Sequence, residues 1–190
     1  MVVGILALQG AVEPHERALA GLGVTPIPVR TPAALARTSA LVLPGGESGT
    51  MLHLLRRNQL WEPLLAYVKQ RPVLGVCAGC ILLAREVAGP AQPSLDALDI
   101  DVTRNAFGRQ IDSFVGELEG DPAAWDGPGR LEGVFIRAPR ITRVGPEARV
   151  LFRWKDEPVL VEQGRVLAGT FHPELTRDST IHRYFLNKMG

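Results

Sequence analysis

Three stretches of the chain are apolar without interruption: Val2 to Leu8, Ala40 to Leu43 and Val73 to Val76. A strand with one wet face alternates apolar and polar residues, whereas a strand covered on both faces is apolar throughout. Each run is followed by glycine or by an immediate change to helical spacing. Val2 to Leu8 ends at Gln9-Gly10, and Glu13 to Leu22 reads as a helix with Pro14 tolerated in its first turn. Ala40 to Leu43 runs into Pro44-Gly45-Gly46, and helical spacing resumes over Thr50 to Arg57 and Glu62 to Gln70. Val73 to Val76 passes directly into a helix over Ala78 to Arg85. Val24 to Val29 is a further strand, and its prolines place it near a sheet edge. This order predicts an α/β fold with a mainly parallel sheet flanked by helices.

The second half changes character. Ile100 to Arg104, Phe114 to Leu118, Leu131 to Ile136, Ala148 to Trp154 and Pro158 to Phe171 are short and strand-like, and Gln163-Gly164 occupies a hairpin position. These add antiparallel strands to the sheet. Gly116 to Gly133 is expected to form a mobile surface loop. Asp178 to Leu186 reads as a closing helix, with Asp178 placed to cap or charge-complement its start.

At 190 residues, one domain over 1–190 is the expectation. The 21 basic and 20 acidic side chains leave a net charge of +1, without the basic excess of a nucleic-acid binder. High apolar content with low net charge excludes a disordered chain. The longest stretch free of charge and strong polarity, Val73 to Ala84, has 12 residues, short of the ~18 of a membrane span. Met1-Val2-Val3-Gly4-Ile5 lacks the basic lead of a secretory signal. Cys77 and Cys80 are too few for a disulfide framework. A cytoplasmic location is expected.

Gly75-Val76-Cys77-Ala78-Gly79 is the sharpest chemical signal. A buried strand ends and a helix begins with a cysteine between small residues, the pattern of a nucleophile elbow. A helix N-terminus behind Cys77 favours negative charge on sulfur. Most free cysteines, by contrast, are core residues. Cys77-Ala78-Gly79-Cys80 also matches the C-x-x-C of thiol–disulfide oxidoreductases. Zinc would need a second ligand pair at suitable spacing, and none is present, so no metal is expected.

A base for Cys77 must come from His15, His53, His172 or His182. His53 and His182 lie within helical segments and read as surface or packing residues, and His15 at the first helix start reads as local or interfacial. His172 alone ends a strand, and chemistry in open α/β sheets collects at the carboxyl ends of strands. Glu174 lies two residues on, which in extended chain puts its carboxylate on the same side as the imidazole, with Pro173 keeping the segment non-helical. Cysteine, base and orienting acid follow the triad logic in a thiol version. Gly45-Gly46, after a strand, can present backbone N–H groups. Together with the N–H of Ala78, that of Gly46 would form an oxyanion hole. The plainer alternative is a tight turn with Ser48 capping the next helix.

Together these segments resemble the class I (triad) glutamine amidotransferases, and within them the glutaminase subunits of pyridoxal phosphate synthases. The resemblance is carried by Ile5 to Val12, Leu43 to Ser48, Gly75 to Gly79, Arg104 to Gln110, Phe135 to Pro139 and Phe171 to Glu174. The elbow and His-x-Glu mark the superfamily; the opening segment, Arg104 to Gln110 and Phe135 to Pro139 mark the branch. Pro14 stands where the family pattern has an acidic residue, and Cys80 where it has an aliphatic or small one. The resemblance implies Cys77 as nucleophile, His172 as base and then acid, and Glu174 as the group that orients it. It implies that L-glutamine lies against Gly46, Glu47, Ser48, Arg104, Ile136 and Arg137, with no cofactor. It further implies that ammonia passes to a pyridoxal 5'-phosphate synthase subunit in a large hetero-oligomer, with weak activity in the absence of that partner.

The two readings of the cysteines separate experimentally. A glutaminase tolerates Cys80→Ser, whereas a thiol–disulfide oxidoreductase loses its activity; glutamine hydrolysis and insulin reduction by the same variant distinguish them.

Overall fold

The computed structural model describes residues 2–104 and 113–189. Its first half alternates as the apolar runs require: β1 (Val3–Leu6), α1 (Val12–Ala20), β2 (Ile27–Val29), α2 (Pro32–Ala36), β3 (Ala40–Leu43), α3 (Ser48–Arg57), α4 (Trp61–Val68), β4 (Val73–Val76) and α5 (Ala78–Leu83). Strands dominate the second half: β5 (Ala84–Ala88), β6 (Leu98–Thr103), β7 (Ser113–Gly120), β8 (Arg130–Ile136), β9 (Arg140–Val144), β10 (Arg149–Trp154), β11 (Glu157–Gln163) and β12 (Val166–Gly169). A 3₁₀ turn over Pro173–Leu175 and α6 (Thr180–Asn187) close the chain.

Nine strands form one sheet in the order β2-β1-β3-β4-β12-β11-β10-β7-β8. The pairings from β2 to β12 are parallel, and those from β12 to β8 are antiparallel. The proline-interrupted β2 is an edge strand, as its sequence requires. A second sheet, β5-β6-β9, packs beside the first.

Both faces of the parallel half are covered, which accounts for its unbroken apolar runs. Along β1 and β3, Leu6, Leu41 and Leu43 face a cluster completed by α3, α4, α5 and the small sheet. Val3, Ile5, Ala40 and Val42 face the opposite cluster, with Leu19 of α1 and Ile181 and Phe185 of α6. That second cluster extends to the antiparallel half, where fully buried Phe152 meets the Trp125 ring edge-on at 4.9 Å.

Three local expectations are corrected, and three elements were not expected. The helix after Cys77 ends at Leu83 instead of Arg85, because the chain turns into β5, a strand the sequence pattern did not reveal. β9 and the short α2 were likewise unmarked, although Thr31 caps α2 by accepting from the Ala34 N–H at 3.2 Å. Gly116 to Gly133 is not a loop. Gly116 pairs with Gly133 in the β7–β8 ladder, and only residues 121–129 connect the two strands. Residues 172–174 are not extended either, since Pro173 occupies the first position of the 3₁₀ turn, where its missing N–H and fixed φ do no harm. Asp178 does serve the closing helix, accepting from the Thr180 N–H at 2.7 Å.

Among the described residues, no helix is long and apolar enough to cross a membrane. Phe152→Ala removes a fully buried ring from the antiparallel half. The expected loss is about 3–5 kcal/mol of unfolding free energy, read from the shift in urea midpoint at constant m-value.

Candidate active site

The position of Cys77 is built by β4 and α5. Cys77 adopts φ 50 and ψ −98, a positive φ that non-glycine residues occupy only where the surroundings impose it. Here the surroundings press closely: a Cβ on Gly75 would approach Leu83 Cδ1 to 2.4 Å and the Gly79 carbonyl group to 2.8 Å, and one on Gly79 would approach the Leu43 oxygen to 2.2 Å. The two small residues flanking the elbow therefore allow β4, α5 and β3 to close together around Cys77. Its N–H donates to the Gly169 oxygen at 2.8 Å, tying the elbow to the end of β12.

The chain continues from β12 through Thr170 and Phe171 to His172, whose N–H donates to the Val134 oxygen of β8 at 2.7 Å. The imidazole packs on the α-carbon of Gly45, where a Cβ would meet His172 Cε1 at 2.4 Å. Its Nδ1 lies 2.7 Å from Glu174 Oε1, and both side chains are buried. The 3₁₀ turn thus makes the contact that the sequence pattern assigned to extended chain.

The electrostatics favour a charged imidazole. Burial by itself lowers the pKa of His172, but hydrogen bonding and charge from Cys77 and Glu174 outweigh it and push the value from 6.5 up to about 10. Burial likewise opposes the Glu174 carboxylate, yet His172 and His15 hold its pKa below the ordinary carboxylate range.

Cys77 and His172 line a cavity of about 320 Å³ with Gly46, Glu47, Ser48, Arg104, Ile136 and Arg137. All six residues expected to contact a small substrate are thus brought to the same hollow. Glu174 lies behind His172, away from the cavity lining. Ala78 is fully buried as the first residue of α5, directly after Cys77. Of the Arg104–Gln110 segment, only Arg104 is among the described residues. Its guanidinium donates to Glu47 Oε1 at 3.0 Å. Glu47 also caps α3, a role the sequence offered to Ser48. Hydrogen bonds from Thr50, assisted by the Gly49 N–H and by Arg104, hold the Glu47 carboxyl below its usual pKa. Ile136 places its carbonyl oxygen 4.0 Å from the Cys77 sulfur, and Arg137 takes a positive φ of 42.

Four cavity residues carried no individual assignment from sequence: Gln9, Gly10, Ala11 and Ile81. Ile81 belongs to α5; the other three follow β1, the strand beside β3, and grip the glycine loop. The Ala11 N–H donates to the Gly45 oxygen at 3.0 Å, and Gln9 Oε1 accepts from the Glu47 N–H at 3.2 Å. Gly10, at φ 99, passes so close that a Cβ would lie 2.0 Å from the Gly45 oxygen. Gln9-Gly10 immediately after an apolar run was the signal for them.

The remaining histidines divide. His53 is exposed on α3. His15, expected in a local or interfacial role, and His182, expected at a helix surface or in packing, are both fully buried, with His15 Nε2 3.6 Å from Glu174 Oε2. Cys80 is fully buried in the apolar cluster, and burial, with Cys77 adding, pushes its thiol well above the ordinary range. A thiol held in that form is inert in disulfide exchange, so Cys80 is a packing residue.

The family model of the SNO glutamine amidotransferase family matches residues 5–190. The chain belongs to this glutamine amidotransferase family. It is 54% identical to pyridoxal 5'-phosphate synthase subunit PdxT of Deinococcus radiodurans, over 100% of this chain and 98% of that protein. It is 51% identical to the PdxT of Pelotomaculum thermopropionicum, over 99% and 95% respectively. A crystal structure of a glutamine amidotransferase superposes with a TM-score of 0.92 at 46% identity, covering all of both chains.

Because the folded-state pKa of His172 lies above its unfolded value, its contribution to stability is complete below about pH 6.5 and is lost as pH rises through about 10. His172→Gln is therefore expected to flatten the alkaline part of the Tm-against-pH curve between those limits, measured by scanning calorimetry.

Proposed function

We propose that the chain is a single glutaminase domain over residues 1–190, hydrolysing L-glutamine to L-glutamate and ammonia for a pyridoxal 5'-phosphate synthase. The observation that carries this reading is the contact of His172 Nδ1 with Glu174 Oε1 at 2.7 Å, beside Cys77 on its elbow. The full-length similarity to PdxT subunits supports the assignment to vitamin B6 synthesis.

In this mechanism the Cys77 thiolate attacks the side-chain carbonyl carbon of glutamine, and the carbonyl electron pair moves to oxygen. N–H groups of Gly46 and Ala78 receive that oxyanion. Collapse of the tetrahedral species breaks the carbon–nitrogen bond as His172 gives its proton to the departing amine, leaving a γ-glutamyl thioester and ammonia. Neutral His172 then takes a proton from water, whose oxygen attacks the thioester. Glutamate leaves, and Cys77 and His172 return to their starting states. Glu174 orients the imidazole and stabilises its charged form.

Glutamine binding uses the remaining cavity residues. Glu47 offers a carboxylate to the α-ammonium, and Arg104 and Arg137 offer guanidinium groups to the α-carboxylate. Without substrate, Glu47 and Arg104 neutralise each other across 3.0 Å; glutamine replaces that contact with one partner for each. Gly46, Ser48 and Ile136 complete the walls.

Ammonia passes to the synthase subunit within a large hetero-oligomer in the cytoplasm. The Ala11-to-Gly45 hydrogen bond fixes the glycine loop in one state. A partner that binds better to a state with the Gly45–Gly46 peptide turned would complete the oxyanion hole and raise turnover by shifting that population.

Ammonia release from glutamine, with and without the purified synthase subunit, tests the proposal. Strong activation by the partner is expected, and Cys77→Ala should abolish turnover while leaving the circular dichroism spectrum and Tm in place. Hydrolysis retained by that variant would overturn the role of Cys77, and activity indifferent to the partner would overturn the pathway.

A further inference from the structure

We propose that His15 is a positioning residue for the triad, holding the outer oxygen of Glu174 and itself held by His182. The inference rests on the glutaminase reading above, but its evidence lies behind the triad, in side chains that the mechanism does not use. His15 Nδ1 and His182 Nε2 are 3.0 Å apart, with both residues fully buried, and their rings are tilted at 59°. On its other edge, His15 Nε2 faces Glu174 Oε2 at 3.6 Å. Glu174 Oε1 is engaged by His172. The four side chains form a continuous line, His182–His15–Glu174–His172, ending at Cys77.

Three atoms in this line have no hydrogen-bond partner among the described residues: His182 Nδ1 at its far end, and His15 Nε2 and Glu174 Oε2, which face each other. A buried carboxylate oxygen without a donor is costly, and an N–H from His15 is the group placed to meet it. The proton positions then follow in sequence. An anionic carboxylate only accepts, so His15 carries its proton on Nε2. A neutral imidazole has one proton, so His15 Nδ1 accepts, and His182 must donate from Nε2.

Neutrality is what suits His15 to this task. Burial lowers its pKa to about 4, against the opposing pull of Glu174 and with the help of His182 and His172. Burial also lowers the pKa of His182. The charged side chains of α1 are Glu13, Glu16 and Arg17; Glu13 and Arg17 are exposed and paired with each other, and Glu16 is half-buried. A charged His15 would compete with His172 for the negative charge of Glu174. A neutral donor fixes the direction of the carboxylate and leaves that charge to the imidazolium. The supports come from separate elements, α1 and α6, which pack on the same face of the sheet, so the carboxylate direction is set by the core.

The tautomers can be read in the wild-type protein by imidazole ¹⁵N NMR. Neutral Nε2–H forms of both His15 and His182 at pH 7 are expected; a charged His15, or one protonated at Nδ1, would overturn the proposal. With the synthase subunit present, His15→Leu should lower kcat by about 10- to 100-fold through misplacement of the base, while KM for glutamine stays within about twofold. His15→Gln, which can keep an N–H near the Nε2 position, should recover most of the loss.

The pH dependence of Cys77 alkylation by iodoacetamide provides a readout that needs neither turnover nor partner. In His15→Leu its alkaline transition, where His172 loses its proton, should move to lower pH, and in His15→Gln it should return. An unchanged alkylation profile in folded His15→Leu would overturn the positioning role even if the wild type hydrolyses glutamine normally. Absence of hydrolysis by the wild type with its partner would overturn the glutaminase reading instead, leaving the tautomer and alkylation results to decide the role of His15.

Discussion

The register between β4 and β12 is the constraint on which the site depends. Val73, Leu74, Gly75 and Val76 pair in parallel with Val166, Leu167, Ala168 and Gly169. Cys77 follows the last residue of one strand, and Thr170, Phe171 and His172 follow the last residue of the other. Parallel pairing makes both strands end on the same side of the sheet, so two groups distant in sequence emerge together without further adjustment. A shift of one residue would turn the side chains of β12 to the opposite face. The Cys77 N–H to Gly169 bond, just past the ladder, locks the alignment where it matters most.

Around that register, the geometry of Cys77 and His172 is enforced by close approaches at glycines. Glycines at 45, 75 and 79 allow the imidazole, the elbow and β3 to approach more closely than any side chain would permit. Cys77 accepts an unfavourable φ because neighbours on both sides are fixed by β-ladder and helix hydrogen bonds. The Glu47 side of the cavity is different in kind. Glu47 combines a helix cap with an ion pair to Arg104, so one carboxylate both starts α3 and presents charge to the hollow.

Much of this was legible in sequence, for local reasons. Unbroken apolar runs marked β1, β3 and β4 because burial on both faces leaves no room for polar residues. Prolines marked β2 as an edge, and Gln163-Gly164 marked the β11–β12 hairpin. The elbow announced Cys77, and a histidine ending a strand announced His172. The errors were also local. The continuation of Ala84 and Arg85 into β5, the pairing of Gly116 with Gly133, and the 3₁₀ turn at Pro173 are decided by which strand or helix lies alongside, a fact that a short window of residues does not contain. Ile136 and Arg137 became candidates through family resemblance; an apolar residue beside an arginine carries no chemical signal of its own.

The sequence by itself determined the central elements, a cysteine on a strand-to-helix elbow, a histidine ending a strand, and an acid within reach of that histidine. These come from periodicity, turn chemistry and the intrinsic reactivity of particular side chains. Tertiary structure alone decided that His15 and His182 meet behind Glu174, and that Gln9, Gly10 and Ala11 grip the glycine loop. The first depends on α1 and α6 packing on one face of the sheet, and the second on β1 lying next to β3. A histidine on the buried side of a helix reads as packing until the neighbouring helix is in place. Only then do its two nitrogens acquire partners, and only the partners fix where its proton sits.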